Sequence, residues 1–376
     1  MAGIYIHIPF CRQACHYCNF HFTTSLRHKN ELVAALLRET EMRQEYFGKA
    51  TVETIYFGGG TPSLLPIEDI SLQVEKIRAL YEVAENAEIT LEANPDDITK
   101  EKLEDWKRIG INRLSIGVQS FFEEDLRWMN RAHNAQQARD NLQLAKQYFD
   151  NITIDLIYGT PLLTNEKWKQ NVETAISSGI PHLSCYALTV EPKTPLQKMI
   201  TRGDKEDVNP DKQSNQFILL MQWLEEAGYE HYEISNFSKP GFRSRHNSSY
   251  WSIGPGGQRK KYLGIGPSAH SFDGSSRQWN VANNQQYIAA ITKGVIPCEI
   301  EILSPLQKLN EYIMTSLRTS EGLYLGGIDK EIKSRLIEMS GKYIKQNLVK
   351  WEDDFLVLTK EGKLLADGIA ADLFFT

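Results

Sequence analysis

The chain has 376 residues, and its 42 lysines and arginines against 48 aspartates and glutamates give a formal charge of −6. This mildly acidic balance argues against nucleic acid as a partner and against attachment to anionic lipid by charge alone. No apolar stretch approaches the roughly 20 residues of a membrane span, and the first residues lack a signal-peptide pattern. We therefore predict a cytoplasmic protein whose thiols stay reduced.

Short apolar, β-branched runs alternate with helical patterns through the first 190 residues. This alternation is typical of βαβ units that build a parallel sheet. The strand count fits either an open doubly wound sheet or a barrel-like (β/α)6 sheet, and in both the functional residues lie where strands end. The six predicted strands are residues 3–8, 53–59, 87–93, 113–118, 152–159 and 182–189.

The pattern changes after residue 190. Residues 191–212 are polar and contain prolines, which predicts a lid-like excursion, and residues 229–238 predict one further strand. Near the end, residues 351–362 predict a hairpin followed by a helix, as in a winged-helix domain. The predicted domains are a (β/α)6 core at residues 1–190, an α+β extension at residues 191–302 and a winged-helix-like domain at residues 303–376.

Three of the five cysteines, Cys11, Cys15 and Cys18, lie in the loop after the first predicted strand. Closely spaced thiolates bind soft metals or iron–sulfur clusters. A structural zinc site takes four ligands, so zinc would need His16 or His21 to complete it. A 4Fe–4S cluster held by three cysteines would instead leave one iron open to a small molecule. The residues alone leave both alternatives open.

The spacing Cys-x3-Cys-x2-Cys, with Tyr17 just before the third cysteine, resembles the radical S-adenosylmethionine (SAM) superfamily. The resemblance implies a partial (β/α)6 barrel, similar to part of a TIM barrel, with the cysteines holding a 4Fe–4S cluster. It also implies that the open iron chelates the amino and carboxylate groups of SAM, and that an electron from the cluster cleaves the C–S bond.

Motifs at the ends of the predicted strands extend the resemblance. The stretch "YFGGGTPS" follows the second strand, and its glycines let the backbone approach a ligand closely. Carboxylates and an amide at later strand ends suit ribose hydroxyls and an ammonium group, whereas an arginine suits a carboxylate. The residues that the resemblance places around SAM are Tyr5, Tyr17, Gly59, Gly60, Thr61, Glu92, Gln119, Arg131 and Asp155.

Nearly the whole chain resembles one subgroup, which holds the oxygen-independent coproporphyrinogen III dehydrogenases (HemN type) and the HemW-type haem chaperones. The dehydrogenases carry a fourth cysteine two residues after the third, where this chain has Phe20. The chaperones carry an HNxxYW signature, and residues 246–251 read HNSSYW. The better resemblance is therefore to the chaperones. The glycine-rich "IGPGG" that follows departs from the subgroup's pattern and is predicted to be a small insertion.

The chaperone resemblance implies a protein that binds a 4Fe–4S cluster, SAM and haem, and passes haem to apo-proteins such as respiratory cytochromes. Haem iron takes an imidazole as axial ligand and aromatic side chains can cover the porphyrin, so His246 is the predicted haem ligand. The alternative is a dehydrogenase that decarboxylates two propionates of coproporphyrinogen III to vinyl groups. The sequence leaves open whether SAM is cleaved, whether the chain forms a homodimer, and whether it touches a membrane transiently.

Overall fold

The computed structural model describes residues 2–251 and 260–376. The "IGPGG" insertion predicted after Trp251 lies outside the described residues. The strands are β1 (Ala2–Ile8), β2 (Val52–Gly59), β3 (Val83–Ala93), β4 (Arg113–Gln119), β5 (Ile152–Tyr158), β6 (His182–Ala187), β7 (Glu230–Glu233), β8 (Asn236–Ser238), β9 (Lys261–Ile265), β10 (His270–Phe272), β11 (Ser276–Asn280), β12 (Cys298–Ile302), β13 (Leu323–Tyr324), β14 (Val349–Glu352) and β15 (Phe355–Leu358).

Helices connect most of these strands, and several begin at a polar cap that their local sequence supplies. Asn134, for example, forms a capping box with Gln137, so that both side chains satisfy free backbone N–H groups at the helix start. The helices are α1 (Lys29–Met42), α2 (Ile67–Leu80), α3 (Lys100–Arg108), α4 (Glu123–Met129), α5 (Ala135–Lys146), α6 (Asn165–Ser177), α7 (Pro195–Thr201), α8 (Pro210–Glu226), α9 (Arg245–Trp251), α10 (Asn284–Thr292), α11 (Pro305–Leu317), α12 (Lys330–Lys345), α13 (Lys360–Lys363) and α14 (Ala366–Asp372).

The first six strands stand side by side in chain order, and each runs parallel to the next. Within the described residues, β1 and β6 do not pair with each other. Instead β1 pairs with β9 in parallel, and β6 pairs with β8 in the antiparallel direction. The predicted partial (β/α)6 barrel is therefore confirmed. A doubly wound sheet would reverse its strand order at a switch point, and the order of β1 to β6 has no such reversal.

The extension differs from the sequence prediction at residues 229–238. A single strand was expected there, but the structure has the hairpin β7–β8. No glycine or proline marks its turn. The Glu233 carboxylate holds the turn instead, because it accepts hydrogen bonds from the Ser235 backbone N–H (3.0 Å) and from Asn236 Nδ2 (2.6 Å).

The last part of the chain packs around its own small core, as expected for a winged-helix-like unit. Helices α11, α12 and α14 cover a three-stranded antiparallel sheet in the order β13-β15-β14. Buried side chains of Leu317, Leu336, Leu356 and Ile369 fill the space between them. The predicted hairpin is β14–β15. None of the helices in residues 2–251 and 260–376 is long and apolar enough to cross a membrane.

A buried carboxylate fastens α1 to the extension strands beside β1. Glu39 is fully buried and forms an ion pair with Arg43 one turn later, with Nε 2.9 Å from Oε1. The same carboxylate accepts hydrogen bonds from Tyr287 Oη (2.6 Å) and Asn280 Nδ2 (2.8 Å). It also accepts one from the Gly266 backbone N–H at 2.9 Å. Four donors therefore surround one charge, which is the condition for burying a carboxylate.

We expect Glu39→Ala to lower the free energy of unfolding by about 3–5 kcal/mol, because it leaves the buried Arg43 charge without its partner. Urea unfolding followed by far-UV circular dichroism measures the loss. Glu41→Ala is the matched control on the same helix, since its ion pairs with Arg38 and Lys76 are solvent-exposed. That variant should stay within about 1 kcal/mol of wild type. Equal losses in the two variants would contradict the role of the buried carboxylate.

Candidate functional site

A cavity of about 440 Å³ lies at the carboxyl ends of the barrel strands, and every one of β1–β6 contributes a side chain or backbone to it. Parallel strands end at one edge of the sheet, so residues far apart in sequence meet there. Twelve of the thirteen residues predicted for the site line this cavity: Tyr5, Cys11, Cys15, Tyr17, Cys18, Gly59, Gly60, Thr61, Glu92, Gln119, Arg131 and Asp155.

The three cysteines of the loop after β1 are half-buried and face the same cavity. The pKa of the Cys18 thiol is raised to about 11, mainly by burial, and the neighbouring thiols of Cys15 and Cys11 contribute to this rise. Burial is also the main cause that raises the pKa of Cys11. Three thiolates so close together repel one another. Iron ions that bind all three would relieve this repulsion, so the three cysteines fit an iron–sulfur cluster.

The two histidines that could complete a zinc site bond elsewhere. His16 Nδ1 is 3.1 Å from the backbone oxygen of Trp128, and His21 Nε2 is 2.7 Å from Asn284 Oδ1. In the described parts of the chain, no three or more His, Cys, Asp or Glu side chains are grouped around a single metal ion position, so the ligand set of one zinc ion is not assembled here.

A chain of hydrogen bonds joins two of the cysteines across the cavity floor. Thr61 Oγ1 donates to Cys11 Sγ at 3.6 Å, and Asn94 Nδ2 donates to Thr61 Oγ1 at 3.1 Å. Arg131 Nη2 donates to Asn94 Oδ1 at 2.7 Å, while its Nη1 donates to Cys15 Sγ at 3.3 Å. The network stabilises negative charge on both sulfur atoms.

Sequence reasoning missed Asn94, which also lines the cavity. A signal was present, because Asn94 follows Glu92 by two residues at the end of β3. Alternate residues of a strand lie on the same face. A polar side chain two positions after a predicted site residue was therefore a further candidate.

The backbone at Asn130 directs Arg131 into the cavity. Asn130 closes α4 in the left-handed conformation, with φ 59°, which asparagine tolerates better than most residues. Its side chain donates to the Ala14 backbone oxygen at 2.7 Å, and Gln13 Nε2 donates back to the Asn130 oxygen at 3.0 Å. These bonds tie the cysteine loop to α4. Among the described residues, Arg131 Nε is buried with no hydrogen-bond partner.

Gln119 also has a backbone conformation that is unusual for its residue type. Its φ is 66° at the end of β4, and such left-handed residues other than glycine are concentrated at functional sites. Gly117 makes room for the two polar side chains above it. A Cβ at Gly117 would lie 3.0 Å from Gln119 Nε2 and 3.2 Å from Arg131 Nη2.

Two of the predicted carboxyl groups face the cavity, Glu92 from the end of β3 and Asp155 from β5. Burial is the main cause that raises the pKa of Glu92 to about 7 and the pKa of Asp155 to about 6. The charge of Asp155 contributes to the shift of Glu92. Glu92 is held in place by Tyr56 Oη at 2.8 Å and by the Gly59 backbone N–H at 3.1 Å. A ligand with positive charge or hydroxyl groups would be stabilised here.

His246 is the one predicted site residue that does not line the cavity. It is fully buried behind the cavity wall, with its ring stacked on Tyr56 at 4.8 Å between ring centroids. Nδ1 is 2.8 Å from Thr54 Oγ1, and Nε2 is 2.9 Å from Tyr250 Oη. Both ring nitrogens are therefore engaged, and the role of His246 as a haem ligand stays a prediction.

Known proteins share similarity with nearly the whole chain. The profile of the radical SAM superfamily matches residues 5–175. The haem chaperone HemW of Mycobacterium tuberculosis (strain CDC 1551 / Oshkosh) is 32% identical over 377 residues, which cover 99% of this chain and 94% of its own. HemW of Bacillus subtilis (strain 168) is 32% identical, with 98% of each chain covered. The solved structure of coproporphyrinogen III oxidase (HemN) from Escherichia coli, a radical SAM enzyme, has the same fold. Its TM-score is 0.86 at 24% identity, and the match covers 99% of this chain and 90% of that one.

The raised pKa of Glu92 makes the stability of the ligand-free protein depend on pH. The folded protein keeps this proton up to about pH 7, whereas the unfolded chain releases it near 4.5. The contribution of the protonated Glu92 side chain to folding stability is therefore fully present below about pH 4.5 and is lost as pH rises through 7. Between pH 5 and pH 8, we expect the unfolding free energy of Glu92→Gln to gain about 1–3 kcal/mol relative to wild type.

Urea unfolding of both proteins at the two pH values measures this change, and any constant effect of the substitution cancels in the comparison. A difference between variant and wild type that is the same at pH 5 and pH 8 would show that Glu92 does not retain its proton.

Proposed function

Because the chain belongs to the radical SAM superfamily and, within it, to the HemW family, we propose that it is a cytoplasmic haem chaperone. It binds a 4Fe–4S cluster, SAM and haem, and it delivers haem to apo-proteins such as respiratory cytochromes. The observation that carries this proposal is the similarity to haem chaperones over nearly the full length of both chains.

In the proposed protein, Cys11, Cys15 and Cys18 hold the cluster, which would supply an electron and one iron without a protein ligand. The residues around the thiols support this assignment. Thr61 and Arg131 donate hydrogen bonds to Cys11 and Cys15, so polar donors already lie against two of the sulfur atoms that would bind the cluster. Leu196 of α7 donates its backbone N–H to the His16 backbone oxygen at 2.8 Å, which ties the lid-like segment to the cysteine loop.

The other cavity residues can hold SAM by complementary chemistry. The free Arg131 N–H suits the carboxylate of SAM, while Glu92 and Asp155 suit its ammonium group and ribose hydroxyls. Gly60 lets the backbone after β2 pack closely against the start of the cysteine loop, because a Cβ there would lie 2.6 Å from the Phe10 backbone oxygen. The remaining proposed contacts come from Tyr5, Tyr17, Gly59, Thr61 and Gln119.

One residue at the cavity favours the chaperone over the dehydrogenase. Phe20 lines the cavity with 69% of its surface exposed, at the position where the resemblance gives the dehydrogenases a fourth cysteine. The axial ligand of haem is left unassigned, because the nitrogens of His246 are both engaged.

We expect Cys18→Ala to hold no cluster after anaerobic reconstitution, because Cys11 and Cys15 alone provide only two of the three thiolates that bind it. Iron, acid-labile sulfide and zinc content, together with absorbance near 400 nm, measure the loss. Cys298→Ala is the matched control, since Cys298 is a half-buried thiol on β12 that does not line the cavity. It should keep the iron and sulfide content of wild type. Stoichiometric zinc without iron in wild type would support the zinc alternative instead.

We expect purified protein to bind haem and to show a shifted Soret band on haem addition. The same cluster-loaded protein, given a reductant, SAM and coproporphyrinogen III without oxygen, should form no protoporphyrinogen. Absorption spectroscopy and chromatography of the extracted porphyrins measure the two results. A wild-type protein that leaves the haem spectrum unchanged overturns the chaperone proposal, and protoporphyrinogen formation would establish the dehydrogenase in its place.

A further inference from the structure

We infer that His246 is a positioning residue for the SAM cavity: it holds Tyr56, and through Tyr56 it holds the Glu92 carboxylate at the cavity wall. This assigns the first residue of the HNSSYW stretch to the SAM site rather than to a haem iron. The inference rests on the proposed function only in taking SAM as the ligand of the cavity.

The His246 ring is fixed from both of its nitrogens. Thr54 on β2 bonds to Nδ1 at 2.8 Å, and Tyr250 one turn later on α9 bonds to Nε2 at 2.9 Å. The ring has almost no solvent exposure. A side chain held in this way has one orientation, and its packing can transmit that orientation to the next ring.

The next ring is Tyr56, which lies between His246 and the cavity. The two rings are stacked at 4.8 Å with an angle of 24°. Tyr56 in turn stacks at 6.0 Å on Tyr5, which lines the cavity. Its hydroxyl donates to Glu92 Oε1 at 2.8 Å, so the face of Tyr56 meets His246 while its polar end directs the carboxylate.

The backbone around His246 is built to accept the ring at this place. Gly3 on β1 pairs with Thr54 across the sheet. A Cβ at Gly3 would lie 2.7 Å from Thr54 Oγ1 and 3.5 Å from His246 Nδ1. On the other side, Glu88 of β3 accepts the backbone N–H groups of Arg245 (3.0 Å) and His246 (2.9 Å). The start of α9 is therefore bonded directly to the barrel strand that carries Glu92.

The test measures the dissociation constant of SAM for cluster-loaded protein, by isothermal titration calorimetry and by the change in the electron paramagnetic resonance spectrum of the reduced cluster. We expect His246→Ala to raise this constant about tenfold, which corresponds to the loss of about one hydrogen-bond interaction. Tyr56→Phe, which keeps the ring and removes the bond to Glu92, should have a similar effect. The double variant should bind SAM no more weakly than the weaker of the two single variants, because both substitutions act through the Glu92 carboxylate.

His270→Ala is the matched control, since His270 is an exposed histidine on β10 that does not line the cavity. It should bind SAM as wild type does. If His246→Ala does not fold, Thr54→Val and Tyr250→Phe test the same contacts, because both nearly keep the side-chain shape. Each should then weaken SAM binding several-fold.

An unchanged SAM affinity in His246→Ala overturns the inference, as do single effects that multiply in the double variant. His246→Ala should also keep the haem spectrum of wild type. Loss of haem binding with normal SAM affinity would instead identify His246 as the haem ligand. A wild-type protein that binds SAM but no haem defeats the proposed function and leaves the SAM titration to decide the role of His246. A wild-type protein that binds haem but does not bind SAM overturns the inference about His246.

Discussion

The parallel pairing of β1 to β6 in chain order is the constraint on which the rest of the molecule depends. It brings six strand ends to one edge, and the loop after β1 carries the cysteines to the same place. Neither end of the barrel pairs with the other within the described residues, so the sheet continues into β9 on one side and β8 on the other. The extension thereby packs against the barrel wall and supplies α9 behind the cavity.

Polar groups at this edge are partly removed from water, and several of them have hydrogen-bond partners within the protein. Thr61 and Arg131 bond to cysteine sulfurs, and Tyr56 and the Gly59 N–H bond to Glu92. At three groups of this edge, the described residues do not fully replace the lost contacts with water. Arg131 Nε has no partner among the described residues, and the pKa values of Glu92 and Asp155 are raised by burial. These groups gain most from a ligand with a carboxylate and a positive charge.

Much of the fold and of the cavity lining could be predicted because both depend on local patterns. The alternation of apolar runs and helical segments determines a βα rhythm, and polar residues directly after strands fall at the site. The turn between β7 and β8 could not be predicted, since no glycine or proline marks it and the Glu233 side chain forms it. Asn94 was missed because its importance lies in two partners, Thr61 and Arg131, that are distant in sequence.

The sequence by itself determined the barrel, because alternating apolar runs and helical segments specify βα units. Its resemblance to the radical SAM superfamily identified the twelve residues that meet at one cavity, with Cys11, Cys15 and Cys18 among them. Only the tertiary structure decided where His246 lies. A histidine beside aromatic residues has the same local pattern whether its ring faces a ligand or the core. The packing of α9 on β2, with Thr54 and Tyr250 bonded to both nitrogens, places that ring behind the cavity wall.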